Sequence, residues 1–421
     1  MYMLKYYKRI ADKVLEDALR LRGAILIEGI KWCGKTTTAK QKALSVIDLS
    51  KKKEADRAEL MVYEDPEKLF SISKPILIDE WQKVPAIWDS LRNQIDNYQE
   101  IGSFILTGST SQTKAIESLR MHSGLGRIGR IKLLTMSLWE SQDSNGEVSL
   151  GNLFGNQEIP YSDSPNNLND IAFLCIRGGW PAVLKTDKKL AAKQASLYLE
   201  ELCESDIRTV DGHRRSAEKM KRILRSYARF TGSNAPNTSI ENDINDISKN
   251  TLYDYLKVLE DLFVTNETTA WNPNFRSATA IQSSNTRYFT DPSITAAALG
   301  MGENDLLNDI ETFGLVFETL VVRDLKVYAQ MLDADIFHYR DSSGLECDAV
   351  IHCKNGKYAL VEVKLSQARE EEGAKTLKSL KTKLEKANLN PPTFLMVITA
   401  TGFAHKREDG VFVVPIGCLK D

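Results

Sequence analysis

The stretch that most limits what this chain can fold into is Ile25-Leu-Ile-Glu-Gly-Ile-Lys-Trp-Cys-Gly-Lys-Thr-Thr-Thr-Ala39. An apolar run with no helical period reads as a buried strand, Ala24 to Glu28, and a helix begins at Lys35. The residues between them, Gly29 to Thr36, fit the spacing G-x-x-x-x-G-K-[ST]. That spacing has a chemical reason. Gly29 and Gly34 allow backbone conformations and close approaches that a Cβ would block, so successive N–H groups can wrap an anion. The helix that follows offers unpaired N–H groups and a positive dipole end. A lysine at position 35 reaches the outer phosphates of a triphosphate, and the Thr36 hydroxyl can ligate Mg²⁺. The expected cofactor-binding residues, for a polyphosphate, are therefore Gly29, Ile30, Lys31, Trp32, Cys33, Gly34, Lys35, Thr36 and Thr37.

Downstream segments read as parts of the same site. An amphipathic helix over 7–21 precedes the first strand. A helix from Lys35 to about Lys42, a strand Ser45–Leu49 and a charged helix Lys51–Glu59 follow. Lys74-Pro-Ile-Leu-Ile-Asp-Glu80 is a buried strand whose end delivers two carboxylates. Asp79 is placed to hold Mg²⁺ through water, and Glu80 to polarise the attacking water as a general base. The strand Gly102–Ser109 brings Thr107 and Ser109, polar groups suited to sensing the γ-phosphate. Arg127 and Arg130 sit in the Gly-rich run Leu125-Gly-Arg-Ile-Gly-Arg-Ile-Lys-Leu133. A guanidinium there, Arg127 in preference, is expected to stabilise transition-state charge, from its own subunit or a neighbouring one.

Four of these segments carry a resemblance: Gly29–Thr37, Leu77-Ile-Asp-Glu-Trp-Gln82, Ile105-Leu-Thr-Gly-Ser109, and Gly126-Arg127 followed by Met136-Ser-Leu-Trp-Glu140. Together they resemble the AAA-type ATPases of bacteria and archaea, in which a P-loop domain is fused to a C-terminal domain of unassigned function. The resemblance extends from about residue 8 to 418. It implies ATP binding and a parallel sheet with the phosphate loop at strand ends. Cys175-Ile-Arg-Gly-Gly-Trp-Pro-Ala-Val183 and Glu204-Ser-Asp-Ile207 also match that family's pattern. One departure is Thr135-Met136, where the family usually has Pro; only a local turn is expected to change.

Length and composition set the surroundings. At 421 residues, two or three domains are expected, and 42% apolar with 27% charged residues is ordinary globular composition. A net charge of −2 gives no whole-chain signal for nucleic acid, so any such surface would be a local patch. The six cysteines form no C-x-x-C pair and point to free thiols in a reducing cytoplasm rather than a zinc site. No apolar run is long enough to span a membrane, and the N-terminus lacks the core of a signal peptide.

The rest of the chain reads as two more modules. Residues 141–168, rich in Ser, Asn, Asp and Gly, are expected to be a long surface loop. A helix is expected from Lys185 to about Arg208, another over Ala217–Phe230, and a third over Ser248–Phe263, with Ser248 as N-cap. The third resembles the recognition helix of a winged helix-turn-helix, although its acidic Glu260-Asp261 suits packing better than a DNA groove. Further on come a helix over Phe313–Leu325, strands Asp335–Arg340, Leu345–Ile351 and Tyr358–Lys364, a helix Gly373–Lys386, and strands Thr393–Ala400 and Gly410–Pro415. That order, with Asp348 on one strand and Glu362-Val-Lys364 on the next, resembles the PD-(D/E)xK nuclease fold. Residues two apart on a strand face one side, so Glu362 and Lys364 point together and Asp348 on the paired strand can join them. Asp348 and Glu362 are candidate Mg²⁺ ligands, Lys364 a candidate activator of water, and Glu318 a further ligand from the helix.

The expectation is an α/β protein with three parts. These are a P-loop NTPase domain with a parallel sheet over 1–165, a helical, winged-helix-like linker over 166–285, and an α/β restriction-endonuclease-like domain over 286–421. Its function is Mg²⁺-dependent ATP hydrolysis joined to a nuclease-like module. The alternative is a nucleotide-dependent switch or scaffold with little turnover. DNA and a protein partner are the candidate partners, and the oligomeric state is left open.

Overall fold

A computed structural model describes residues 6–109, 124–206, 215–273 and 284–421. The chain divides into two compact units. The first comprises 1–134 with 206–214 and 256–264; the second comprises 135–205, 215–255 and 265–421.

The first unit is built on a parallel five-stranded sheet in the order β2-β3-β4-β1-β5. Its strands are β1 (Ala24–Glu28), β2 (Ser45–Asp48), β3 (Ile76–Asp79), β4 (Phe104–Gly108) and β5 (Ile128–Lys132). Every residue of the central strands β1, β3 and β4 is buried, whereas the edge strands β2 and β5 are only partly so. This is the pattern of a sheet covered on both faces, whose inner strands are continuous apolar runs. Leu26, Ile76, Ile78, Phe104 and Leu106 on the strands join Trp81, Trp88 and Leu91 in one apolar cluster. The helices are α1 (Ile10–Leu19), α2 (Lys35–Ala39), α3 (Lys52–Glu64), α4 (Pro66–Leu69) and α5 (Ile87–Tyr98). The helix after the phosphate loop is thus shorter than its expected reach to Lys42, and the charged helix runs longer than its expected end at Glu59.

The second unit carries a seven-stranded sheet in the order β7-β12-β13-β11-β10-β9-β8. Its C-terminal strands are β8 (Ala334–Arg340), β9 (Glu346–Cys353), β10 (Tyr358–Lys364), β11 (Phe394–Thr399), β12 (Phe403–Lys406) and β13 (Phe412–Pro415). β8, β9 and β10 form an antiparallel meander. The helix Glu370–Lys386 then returns the chain so that β11 lies parallel to β10. This helix buries Ala374, Leu377, Leu380 and Leu384 against the sheet, a stripe at helical spacing.

Residues 141–168 are not a surface loop. They hold β6 (Val148–Ser149), a helix Leu150–Phe154 and β7 (Ser162–Asp163). β6 pairs with β14 (Leu419–Lys420), and β7 pairs with β12. The boundary therefore falls at 134–135 rather than at 165. Two-residue strands have no period to read, and their partners lie more than two hundred residues away in sequence. The expected helix 185–208 is also broken, into Lys188–Ala191, Gln194–Glu201 and a π-turn Leu202–Asp206. A helix at Asn237–Ile244 went unread because only Ile240 and Ile244 of its residues are buried. As expected, the Ser248 hydroxyl accepts from the Thr251 N–H at 3.2 Å at the start of the helix Lys249–Asp261.

A buried polar node explains several motifs of this unit. Asp291 accepts from the Thr135 hydroxyl at 2.6 Å, the Gly179 N–H at 2.9 Å, the Ser293 hydroxyl at 2.6 Å and the Arg323 Nη1 at 3.1 Å. Arg323 also donates to Asp324 at 2.7 Å, and Asp324 accepts from the Leu138 N–H at 2.9 Å. Burial opposes the charge on Asp291, but Arg323 and these donors hold its carboxyl below the ordinary range. A Cβ at Gly179 would lie 2.2 Å from the Met136 carbonyl oxygen, and the Met136 N–H donates to the Gly179 carbonyl at 2.8 Å. The Thr135-Met136 departure thus changes more than a local turn: it supplies a hydroxyl and an N–H that proline lacks. Breaking a buried, hydrogen-bonded ion pair by removing one partner costs about 3–5 kcal/mol. Asp291→Ala is expected to lower the urea stability of the second unit by that order; an unfolding midpoint within error of wild type would contradict it.

Candidate functional site

The site of the first unit is made where three strand ends meet. Because the sheet is parallel, the C-terminal ends of β1, β3 and β4 lie along one edge. The phosphate loop leaves β1 at Gly29, Asp79 ends β3, and Thr107 is the next-to-last residue of β4. Gly29 has φ 154° and Gly34 φ 103°, conformations that L side chains rarely adopt. A Cβ on Gly29 would sit 2.1 Å from the Leu133 carbonyl oxygen, so the loop is pressed against the exit of β5. Trp32 takes the left-handed conformation with φ 65°, and its indole is partly exposed.

Several of the candidate side chains meet at this edge. Lys35 Nζ donates to the carbonyls of Gly29 at 2.8 Å and Ile30 at 2.9 Å, so the ammonium lies within the curve of the loop. The Thr36 hydroxyl donates to Asp79 Oδ1 at 2.7 Å, and the Thr107 hydroxyl donates to the same oxygen. β4 lies between β3 and β1, so the carboxylate reaches past one strand to meet the loop. Hydroxyl and carboxylate oxygens side by side are a donor set suited to Mg²⁺, which takes one or two protein oxygens along with phosphate oxygens and water. Glu80, at φ 57°, is turned out of the strand. Gln82 Nε2 donates to its Oε2 at 2.6 Å and the Ser109 hydroxyl to its Oε1 at 3.1 Å. The candidate base and the candidate sensor are thus in contact.

Arg127 is not brought to this site. It immediately precedes Ile128, which pairs with Ala24 at the start of β1, and its carbonyl accepts from the Ala24 N–H. The phosphate loop begins five residues further along β1, about 16 Å away. The Arg127 guanidinium instead donates to Asp96 on α5 at 2.7 Å. Within this chain the guanidinium is therefore placed away from the phosphate loop. Arg130, two residues into β5, lies 3.7 Å from Glu28 at the loop end of β1. Residues 110–123, between Ser109 and these arginines, lie outside the described residues.

Two contributors were not read from the sequence. Arg9, 6% exposed, donates from Nη1 to the Cys33 carbonyl at 3.0 Å and from Nη2 to the Leu134 carbonyl at 2.9 Å. Its targets are backbone atoms distant in sequence, so no side-chain pattern announces it. Gln82, the last residue of the Leu77–Gln82 segment, carries no role in the motif, yet it contacts Glu80.

In the second unit, Asp348 on β9 and Glu362 and Lys364 on β10 come together, as their register requires. Asp348 accepts from the Val363 N–H at 2.7 Å, and Lys364 Nζ donates to Glu362 at 2.8 Å. Glu318, on the helix Ile310–Ala329, accepts from the Tyr288 hydroxyl. Burial first and the Asp348 carboxylate second push Glu318 well above the ordinary range. Burial and Asp348 likewise push Glu362 up to about 8, against the pull of Lys364. Among the described residues no three His, Cys, Asp or Glu are arranged to hold a metal ion. With Glu362 engaged by Lys364, this cluster does not fit a metal as it stands.

The raised Glu362 has a consequence for stability. The folded state holds the proton more tightly than the unfolded chain, whose carboxyl titrates near 4.5. The stabilisation is complete below that value and is lost as pH rises through about 8. Urea stability of the metal-free protein is therefore expected to fall from about pH 4.5 to about pH 8 and to level off above that. Glu362→Gln should flatten that decline by up to ~1.4 kcal/mol per pH unit; an unchanged slope would refute the assignment.

Comparison with known proteins places these units. Residues 21–142 match a family model described as an AAA domain. Residues 168–305 and 313–419 match two domains of unknown function, DUF8612 and DUF4143. Uncharacterized proteins of Mycobacterium tuberculosis and Mycobacterium bovis are each 22% identical over 353 residues, covering 83% of this chain and 72% of theirs. The Walker-type ATPase of Pyrococcus abyssi is similar at a TM-score of 0.43 and 16% identity, over 70% of this chain and 96% of that one. Among the described residues, no helix is long and apolar enough to cross a membrane. Residues 21–142 thus match an AAA domain, and neither of the other two matches assigns a nuclease.

Proposed function

We propose that the first unit binds ATP with Mg²⁺ along Gly29–Thr37 and hydrolyses it. The observation that carries this reading is the meeting of Thr36 and Asp79 at 2.7 Å beside a lysine already curled into the glycine-bounded loop. In the bound state Lys35 would exchange two carbonyls for phosphate oxygens. Bound Mg²⁺ would neutralise charge on the outer phosphates, held by Thr36 directly and by Asp79 through water. Glu80 orients the water that attacks, and Ser109 and Gln82 hold its carboxylate in place. Positioning and electrostatics account for most of the catalysis in such a reaction. Steady-state phosphate release by the full chain tests this. Lys35→Ala is expected to abolish release along with tight binding. Glu80→Gln is expected to retain ATP while slowing turnover by about 100-fold or more. A Lys35→Ala chain that turns over at the wild-type rate would refute the assignment.

A second reading concerns the other unit, and it rests on the meeting of Asp348, Glu362 and Lys364 on paired strands. It takes this cluster as a nuclease-like site acting on DNA. A cation bound there would have to displace Lys364 from Glu362. Nicking of plasmid DNA with Mg²⁺ by the full chain, lost in Asp348→Ala, is the expected result of this reading. Background nicking of supercoiled, linear and single-stranded DNA alike would remove it. The protein would then be an ATP-dependent switch with a binding module.

A further inference from the structure

We infer that Arg9 is a positioning residue for the phosphate loop, one that fixes the direction of the Gly34 N–H; the inference rests on the nucleotide reading above. Arg9 stands just before α1, outside the loop, and is 6% exposed. Its two terminal nitrogens take two carbonyls, Cys33 within the loop at 3.0 Å and Leu134 beyond β5 at 2.9 Å. A guanidinium suits this task because its planar fork presents fixed donors and keeps its charge when buried.

The consequence follows from the peptide plane. In a trans peptide the carbonyl of one residue and the N–H of the next point in opposite directions. With the Cys33 carbonyl held by Arg9, the Gly34 N–H faces away from Arg9. Gly34 opens α2, with φ 103°. Its N–H is therefore aimed at the concave side of the loop, where Lys35 also lies. Left unheld, that peptide could rotate and present a carbonyl oxygen to an incoming phosphate, replacing a donor with an acceptor.

The anchor of Arg9 is itself secured. Its backbone N–H donates to Asp12 Oδ2 at 2.8 Å, and the Tyr6 hydroxyl donates to Asp12 Oδ1 at 2.6 Å. Tyr6 also reaches the Thr38 hydroxyl on α2 at 3.5 Å. The segment Tyr6–Asp12 thus touches the phosphate loop at Cys33 and its helix at Thr38. The Leu133 carbonyl also leaves no room for a Cβ at Gly29. The loop is thus held at Cys33 and closely backed at Gly29 before any nucleotide arrives, which lowers the ordering cost of binding.

The test compares full-length wild type, Arg9→Met and Arg9→Lys, reading the MgATP dissociation constant by titration calorimetry and KM and kcat by phosphate release. Melting temperature without nucleotide serves as the check on folding. Hydrogen bonds to a charged group are worth enough that Arg9→Met should raise the dissociation constant and KM by roughly 10- to 100-fold. The value of kcat at saturation should change by less than about threefold, because the loop, once filled, is ordered by its ligand. Arg9→Lys, whose single ammonium cannot fork between both carbonyls, should recover only part of the affinity and leave KM raised severalfold. A folded Arg9→Met chain with wild-type affinity, or one losing kcat and KM effect in equal measure, would overturn the inference. If Arg9→Met does not fold, Arg9→Lys decides: a KM raised severalfold upholds the inference, and an unchanged KM overturns it. A wild-type chain that takes no MgATP would remove the nucleotide reading itself, and this inference with it. That outcome differs plainly from wild-type binding with unaltered variants.

Discussion

The first unit depends on a single constraint: β1 is buried along its whole length, and the chain must leave it in a tight bend. Burial on both faces makes the strand apolar and fixes it at the centre of a parallel sheet. Parallel strands then deliver their ends to one edge. The chain bends there through Gly29 and Gly34, at φ values rare for other residues, and Asp79 and Thr107 arrive from the neighbouring strands. The chemistry of the site is a consequence of that shared direction. The same geometry removes Arg127, whose place at the beginning of β5 is the far edge of the same sheet.

The second unit solves a different problem. Its helices and sheet enclose charged groups, so each buried charge needs partners. Asp291, Arg323 and Asp324 satisfy one another and the backbone of the segments around Leu138 and Gly179. Glu318, Asp348, Glu362 and Lys364 are less completely matched, with three carboxyls to one ammonium. Burial and mutual repulsion drive the carboxyls upward, and the Lys364 ammonium, the Tyr288 hydroxyl and the Val363 N–H offset this only in part. A group of acids kept in such surroundings is a common mark of a functional site, though the fold alone does not say which function.

Legibility differed between the sites for a physical reason. Gly29, Gly34, Lys35 and Thr36 lie within one turn-and-helix, so their mutual geometry is set by local backbone conformation. Glu362 and Lys364 were readable because a strand has period two, and Asp348 because adjacent antiparallel strands have a definite register. Arg9 was not readable: its partners are carbonyl oxygens, which every residue has, and they lie at Cys33 and Leu134. Residues 141–168 were misread because strands of two residues carry no pattern, and their pairing with β12 and β14 is decided at the other end of the chain.

The sequence by itself determined the phosphate loop, the two carboxylates after the third strand, and the strand-and-helix order of the C-terminal sheet. Each of these rests on spacing within a few residues. Tertiary structure alone decided which end of the sheet an arginine occupies, where one unit gives way to the next, and which distant cation holds the loop. Those are matters of register and of backbone atoms, and neither leaves a mark in the identity of side chains.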